Sequence, residues 1–180
     1  TATVTPTKTA TSTPTSYVTS TPVGTPGSTV KSVKVQMYNE NRATEVGALN
    51  PLFKVINTGT TAINLSDLVI RYYYTKDSSL PQSVYVDHIS VASSNFNTSV
   101  KSMSPAVNGA DTYVEMTFSS GSGTLEPGKS FEIKIRIANN DWTNMNQTGD
   151  YSFNSSDSSY TDWNRVTAYI SGTLKWGIVP

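Results

Sequence analysis

Cysteine is absent from the 180 residues, so neither a disulfide framework nor a thiolate metal site is available. Charge is scarce: Asp, Glu, Lys and Arg make up 14% of the chain, and 13 basic residues balance 13 acidic ones. A nucleic acid or an anionic bilayer would need clustered Lys and Arg, so neither is expected as a partner. No apolar run approaches the length of a membrane span, and the first residues show no basic-then-apolar signal region. Only one histidine is present. His88 has no neighbouring Ser or Cys in a nucleophile elbow, and no phosphate-cradling glycine loop occurs.

What is abundant is Thr, Ser, Asn and Tyr, the composition of a secreted bacterial-type surface protein. Thr, Ser and Pro supply 20 of the first 30 residues, with Thr-Pro at 5–6, 13–14, 21–22 and 25–26. Proline removes backbone donors and β-branched Thr stiffens an extended path. Such a segment has too little apolar surface to offset its ordering entropy. Residues 1–30 are therefore expected to be an inter-module linker, and 31–180 one folded module.

From Val33 onward, short alternating apolar runs are separated by turn signals. Strands are expected at Val33–Tyr38, Leu52–Ile56, Leu68–Tyr74, Val84–Val91, Tyr113–Phe118, Ser130–Ile137 and Val166–Trp176. Turns are marked by Asn57-Thr58-Gly59, Asn108-Gly109, Gly121-Ser122-Gly123, Glu126-Pro127-Gly128 and Ser171-Gly172. Phe131, Ile133, Ile135 and Ile137 alternate with Glu132, Lys134 and Arg136, the period of two of a strand with one buried face. No segment keeps helical periodicity over three turns. The expected fold is all-β, an antiparallel β-sandwich or jelly roll.

Glycosidases position two carboxylates across a scissile bond, and nothing in the sequence pairs Glu115, Glu126, Glu132, Asp141 or Asp162. No enzymatic activity is expected. The run Asn140-Asp141-Trp142-Thr143 places a Trp among polar neighbours. Two readings stay open there: a ring exposed for stacking on a sugar, or a lid folded back on the sandwich. Asn146-Gln147-Thr148-Gly149-Asp150 and Thr75-Lys76-Asp77 offer oxygen donors in loops, which suit Ca²⁺ better than Zn²⁺; plain turn formation is the alternative. In Arg71-Tyr72-Tyr73-Tyr74, Arg71 and Tyr73 share one face, and Tyr72 and Tyr74 the other.

Taken together, the chain resembles a family 3 carbohydrate-binding module, the cellulose-binding module of cellulosomal scaffoldins and bacterial cellulases. The ordered matches include Val35-Gln36-Met37-Tyr38-Asn39, Asn50 through Gly59, Leu68 through Thr75 and Ala110-Asp111-Thr112-Tyr113. They continue with Gly123 through Gly128, Asn140-Asp141-Trp142, Asp150-Tyr151-Ser152-Phe153 and Val166 through Ile170, covering about residues 32–178.

The resemblance implies a jelly-roll sandwich of about nine strands that binds cellulose or a related β-glucan on a flat face. Asp87, His88, Arg136 and Trp142 would form the strip, with an Arg136–Asp87 fork acting as a planar tile. Phe96, the sole aromatic of a shortened Ile89–Val100 segment, is assigned to the strip, although an inward position fits it equally. A structural calcium is implied at Thr75, Asp77, Asn146, Gly149 and Asp150. A shallow groove on the opposite face would use Asn39, Arg71, Tyr73, Tyr113, Glu115 and Tyr151. The expected protein is a monomeric module of a larger extracellular or cell-surface protein, anchoring it to plant cell-wall polysaccharide. A structural spacer or protein-docking sandwich is the alternative.

Overall fold

The computed structural model describes residues 29–180 together with Thr1, so the expected linker lies almost wholly outside the described residues. In chain order the strands are β1 (Val33–Asn39), β2 (Glu45–Val46), β3 (Pro51–Asn57), β4 (Ile63–Asn64), β5 (Leu68–Tyr74), β6 (Gln82–Ile89) and β7 (Phe96–Val107). They continue with β8 (Ala110–Phe118), β9 (Thr124–Leu125), β10 (Ser130–Asn139), β11 (Met145–Asn146), β12 (Thr161–Asp162), β13 (Val166–Ile170) and β14 (Thr173–Trp176). Nine of these have four residues or more. Among the described residues the only helices are two three-residue 3₁₀ turns, Leu65–Asp67 and Ser93–Asn95.

Two five-stranded antiparallel sheets face each other, ordered β12-β1-β3-β10-β6 and β14-β13-β5-β8-β7. Alternation builds the core between them. Val33, Val35, Met37, Phe53, Val55, Phe131, Ile133 and Ile135 project from the first sheet, and Ile70, Tyr72, Val114, Met116 and Ala168 from the second, all buried. Rings key the layers together: Phe53 meets Tyr72 edge-on at 6.0 Å between centroids, and Phe131 meets Phe118 at 5.6 Å. Each such side chain contributes about 1.5–3 kcal/mol of transfer free energy.

Two features differ from the sequence expectation. Val166–Trp176 is a hairpin rather than one strand, reversing at Ser171-Gly172, where both residues have positive φ. The twelve-residue β7 falls where no strand was expected. It is an edge strand, and its half-buried side is Phe96, Thr98 and Val100, too weakly apolar to announce itself.

Candidate functional site

Strand β10 buries Ile133, Ile135 and Ile137 and turns Glu132, Lys134 and Arg136 to the outer face of the first sheet. Its neighbour β6 is the edge strand, with Arg136 opposite Tyr85 and Lys134 opposite His88. Between these pairs the register shifts, leaving Asp87 as an extra residue. In a regular strand Asp87 and His88 would point to opposite faces; a bulge re-aims consecutive side chains. Here it gives Asp87 to Arg136 while His88 keeps the outward position across from Lys134.

The Arg136–Asp87 contact is a two-pronged fork. Nε donates to Oδ2 at 2.8 Å and Nη2 to Oδ1 at 2.9 Å. Asp87 raises the Arg136 pKa further above its ordinary value through these bonds and its charge. The guanidinium carbon lies 5.2 Å from the centre of the Tyr85 ring. On Tyr85 in turn lies Trp142, with centroids 5.5 Å apart and planes 20° apart. The surface therefore reads Trp142 on the loop after β10, then Tyr85 with Arg136, Asp87 and His88 on β6 and β10.

Trp142 is 49% exposed, so it is no lid over the core. Its φ is +61°, a left-handed conformation that a bulky side chain rarely adopts. The loop enforces it. The Trp142 amide donates to the Asn139 carbonyl at 2.9 Å, and Asp141 accepts from the Thr143 amide and hydroxyl at 3.1 and 2.8 Å. Buried Asn139 donates to Thr143 and accepts from Gln82 at 3.1 Å. A strained aromatic fixed on the surface by its surroundings is a mark of a binding site rather than of packing.

Tyr85 was not singled out in the sequence, since it reads as one more residue of an alternating strand; its i, i+2 spacing to Asp87 was the available signal. Phe96 is the correction. It sits on β7 in the other sheet, half-buried, with its ring 5.2 Å from Phe118. Pairing opposite Phe118 turns it inward, so it does not extend the strip.

At one end of the sandwich, the expected metal residues converge. The Thr75 amide donates to Asp150 Oδ1 at 2.8 Å, and the Asn146 amide to Asp77 Oδ2 at 2.6 Å. Asp111 accepts from the Lys76 amide at 2.7 Å. Asp150 is 4% exposed, and its Oδ2 is buried without any partner. Burial, together with the charges of Asp77 and Asp111, pushes its pKa up to about 7 despite the Thr75 amide. Among the described residues no three acidic or histidine side chains form a metal-holding group by themselves, so carbonyl oxygens would have to complete a shell. An orphaned buried carboxylate oxygen beside two further acids, in a donor set of oxygens only, fits a hard cation such as Ca²⁺.

The opposite face differs from the expected open groove. Arg71 is clamped between the rings of Tyr113 and Tyr169, 4.9 and 4.8 Å from their centres. Its Nε also donates to Glu115 at 2.9 Å, and Lys101 pairs with the same carboxylate. Tyr73 is buried against Tyr113 and Tyr151 and bonded to Thr167 at 2.8 Å, so it lies beneath this surface rather than lining it. Tyr151 is tied to the Ile178 carbonyl at 2.9 Å. Asn39 does not belong to this face. It is buried on the inner side of β1, donating to the Tyr72 hydroxyl and accepting from the Asn154 amide.

The sandwich exposes Trp142, stacked on half-buried Tyr85, beside the Arg136–Asp87 fork and His88, a surface suited to binding a flat ligand. Comparison with known proteins agrees. The family profile described as "Cellulose binding domain" matches residues 34–177. The chain is 43% identical over 149 residues to a Paenibacillus xyloglucanase, covering 83% of this chain and 14% of that protein. It is 47% identical over 150 residues to anti-sigma-I factor RsgI4 of Acetivibrio thermocellus, covering 83% and 29%. Among solved structures, the CBM3b module of the major scaffoldin subunit ScaA from Acetivibrio cellulolyticus superposes with a TM-score of 0.79. It is 44% identical, with 83% of this chain and 97% of that one covered. The chain belongs to the family 3 carbohydrate-binding modules, a non-catalytic family of jelly-roll sandwiches.

Proposed function

We propose that this module binds cellulose on the outer face of its first sheet, through Trp142, Tyr85, the Arg136–Asp87 fork and His88. The observation that carries the reading is the continuity of that surface: Trp142 on Tyr85, Tyr85 beside Arg136, and Arg136 locked in plane by Asp87. Pyranose rings of a glucan expose C–H faces that bury apolar area on such tiles, while edge hydroxyls reach the charged fork. Preorganisation by the bulge and the Asn139–Thr143 loop lowers the entropic cost of binding. Thr75, Asp77, Asn146, Gly149 and Asp150 would hold a calcium ion. An ion there supplies positive charge to Asp150, and the loop after Trp142 is thereby pinned to the end of β5.

The module spans 14% and 29% of the two curated relatives. We read its role as holding a larger extracellular protein on insoluble polysaccharide, raising the effective concentration of whatever is attached. Relatives include both an enzyme and an anti-sigma factor, so an enzyme and a polysaccharide-sensing receptor are both suitable parents. The test is depletion of the protein from solution by microcrystalline cellulose. Retention that is lost in Trp142→Ala but kept in Lys175→Ala, on the exposed β14 edge, supports the reading. Wild-type protein that stays in solution favours a structural spacer.

A further inference from the structure

Of the four arginines, Arg136 is paired with Asp87 and Arg71 with Glu115. The other two, Arg42 and Arg165, have no carboxylate within ion-pair distance among the described residues. Both line the same cleft of about 300 Å³, together with the hydroxyl-bearing Thr44, Thr148 and Ser155, with Phe153, and with Gly149 and Asp150 of the candidate calcium site. We propose that this cleft binds a carboxylate-bearing sugar, a uronic-acid unit of an acidic polysaccharide.

Neither guanidinium is held in an ion pair, although the Asp157 carboxylate lies near enough to Arg42 to feel its charge. Arg42 Nη1 donates to the Asp157 main-chain carbonyl at 3.1 Å. Arg165 lies over the rings of Tyr151 and Trp163, 5.6 and 6.0 Å from their centres. The neighbouring acids are committed elsewhere. The Asp157 carboxylate accepts from Asn154 and Thr161, both at 2.9 Å. Asp150 turns one oxygen to the Thr75 amide and has the other buried, so its carboxyl does not face the open cleft. Two arginines outside any ion pair attract a planar carboxylate, which a guanidinium grips in two-pronged fashion.

The remaining lining separates a sugar from a bare anion. Three hydroxyls can exchange hydrogen bonds with ring hydroxyls, and an aromatic wall suits the C–H face of a pyranose. The volume lies at the small end for ligand sites, enough for one or two sugar units. The cleft shares no residue with the flat strip. A module with both would hold neutral glucan on one surface and an acidic matrix polysaccharide at the loop end.

The experiment is calorimetric titration of the chain with trigalacturonate and with a glucuronic-acid-substituted xylo-oligosaccharide, alongside cellotriose and inorganic phosphate. The expected result is saturable binding of at least one acidic oligosaccharide, weakened about tenfold or more in Arg42→Gln and in Arg165→Gln. It should weaken further from about 20 to 200 mM NaCl and persist in Trp142→Ala. Both arginine variants should keep wild-type melting temperature and cellulose retention, so this proposal and the cellulose reading fail independently. Three results would each overturn it: no saturable binding of either acidic oligosaccharide at millimolar concentration, binding unchanged in the double variant, or displacement by phosphate as effective as by the free uronic acid.

Discussion

Trp142 and Tyr85 are stacked 5.5 Å apart although 57 positions separate them in the chain, one on a strained loop and the other on an edge strand. The Tyr85 ring is thus the floor that holds the Trp142 ring level, and it also flanks the Arg136 guanidinium. Tyr85→Ala should therefore weaken cellulose binding nearly as much as Trp142→Ala, by about 1.5–2 kcal/mol, or more than tenfold. Adsorption isotherms of the two variants and their double mutant measure this. The double should cost less than the sum of the singles, because the rings act as a unit.

The Arg136–Asp87 fork leads to a different expectation. The pair is surface-exposed, so its loss should move the melting temperature by no more than about 2 °C. Binding should nevertheless fall severalfold in Arg136→Ala, and also in Arg136→Lys, which keeps the charge but loses the planar fork. Full binding by the Lys variant would show that charge, not planarity, is what matters there.

Asp150 makes stability depend on pH. Its folded pKa of about 7 lies above its ordinary value of 3.8. Without metal, both folded and unfolded chains hold the proton at low pH, and its contribution is then complete. As pH rises from about 4 to 7 the unfolded chain releases the proton first, and up to about 4 kcal/mol of stability is lost. In chelator the melting temperature should fall across that window. Millimolar calcium should restore it at pH 7 and do little at pH 4. Asp150→Asn should flatten the pH dependence and abolish the calcium response.

The β7–β8 hairpin turns at Asn108-Gly109, and Gly109 has φ +78°. A methyl group there would collide with the Gly149 carbonyl oxygen. The Gly109 carbonyl also accepts from the Tyr151 amide at 2.8 Å, so the hairpin tip braces the loop carrying Asp150. Gly109→Ala should cost more than about 1 kcal/mol from the backbone alone. It should also weaken calcium binding, whereas Gly128→Ala, at a turn with open space around it, should lower stability without touching calcium affinity.

The core was legible because alternation is strict in β1 and β8 and holds through most of β10, and period two leaves a buried face no other assignment. Trp142 stood out by its polar neighbours, whereas Asp87, His88 and Arg136 came from the family resemblance rather than from any pattern of their own. What joins them was not legible. A bulge adds one residue to a strand, and no alternation of apolar residues records whether Asp87 is paired or extra. Tyr85 was hidden for the same reason: an aromatic in a β run reads as core until its partner across the sheet is known. Phe96 and Asn39 went wrong because sequence shows residue type but not face. Strand β7, with only Thr98 and Val100 beside Phe96 on its half-buried side, gave no signal that Phe96 would pack against Phe118.

The most direct test is hydroxyl-radical footprinting of the chain free and adsorbed on microcrystalline cellulose. Tyr85, His88 and Trp142 should become protected on the polymer, while Tyr113 and Tyr169 on the opposite sheet keep their reactivity. Protection of Tyr113 and Tyr169 with Tyr85 and Trp142 still reactive would contradict the account.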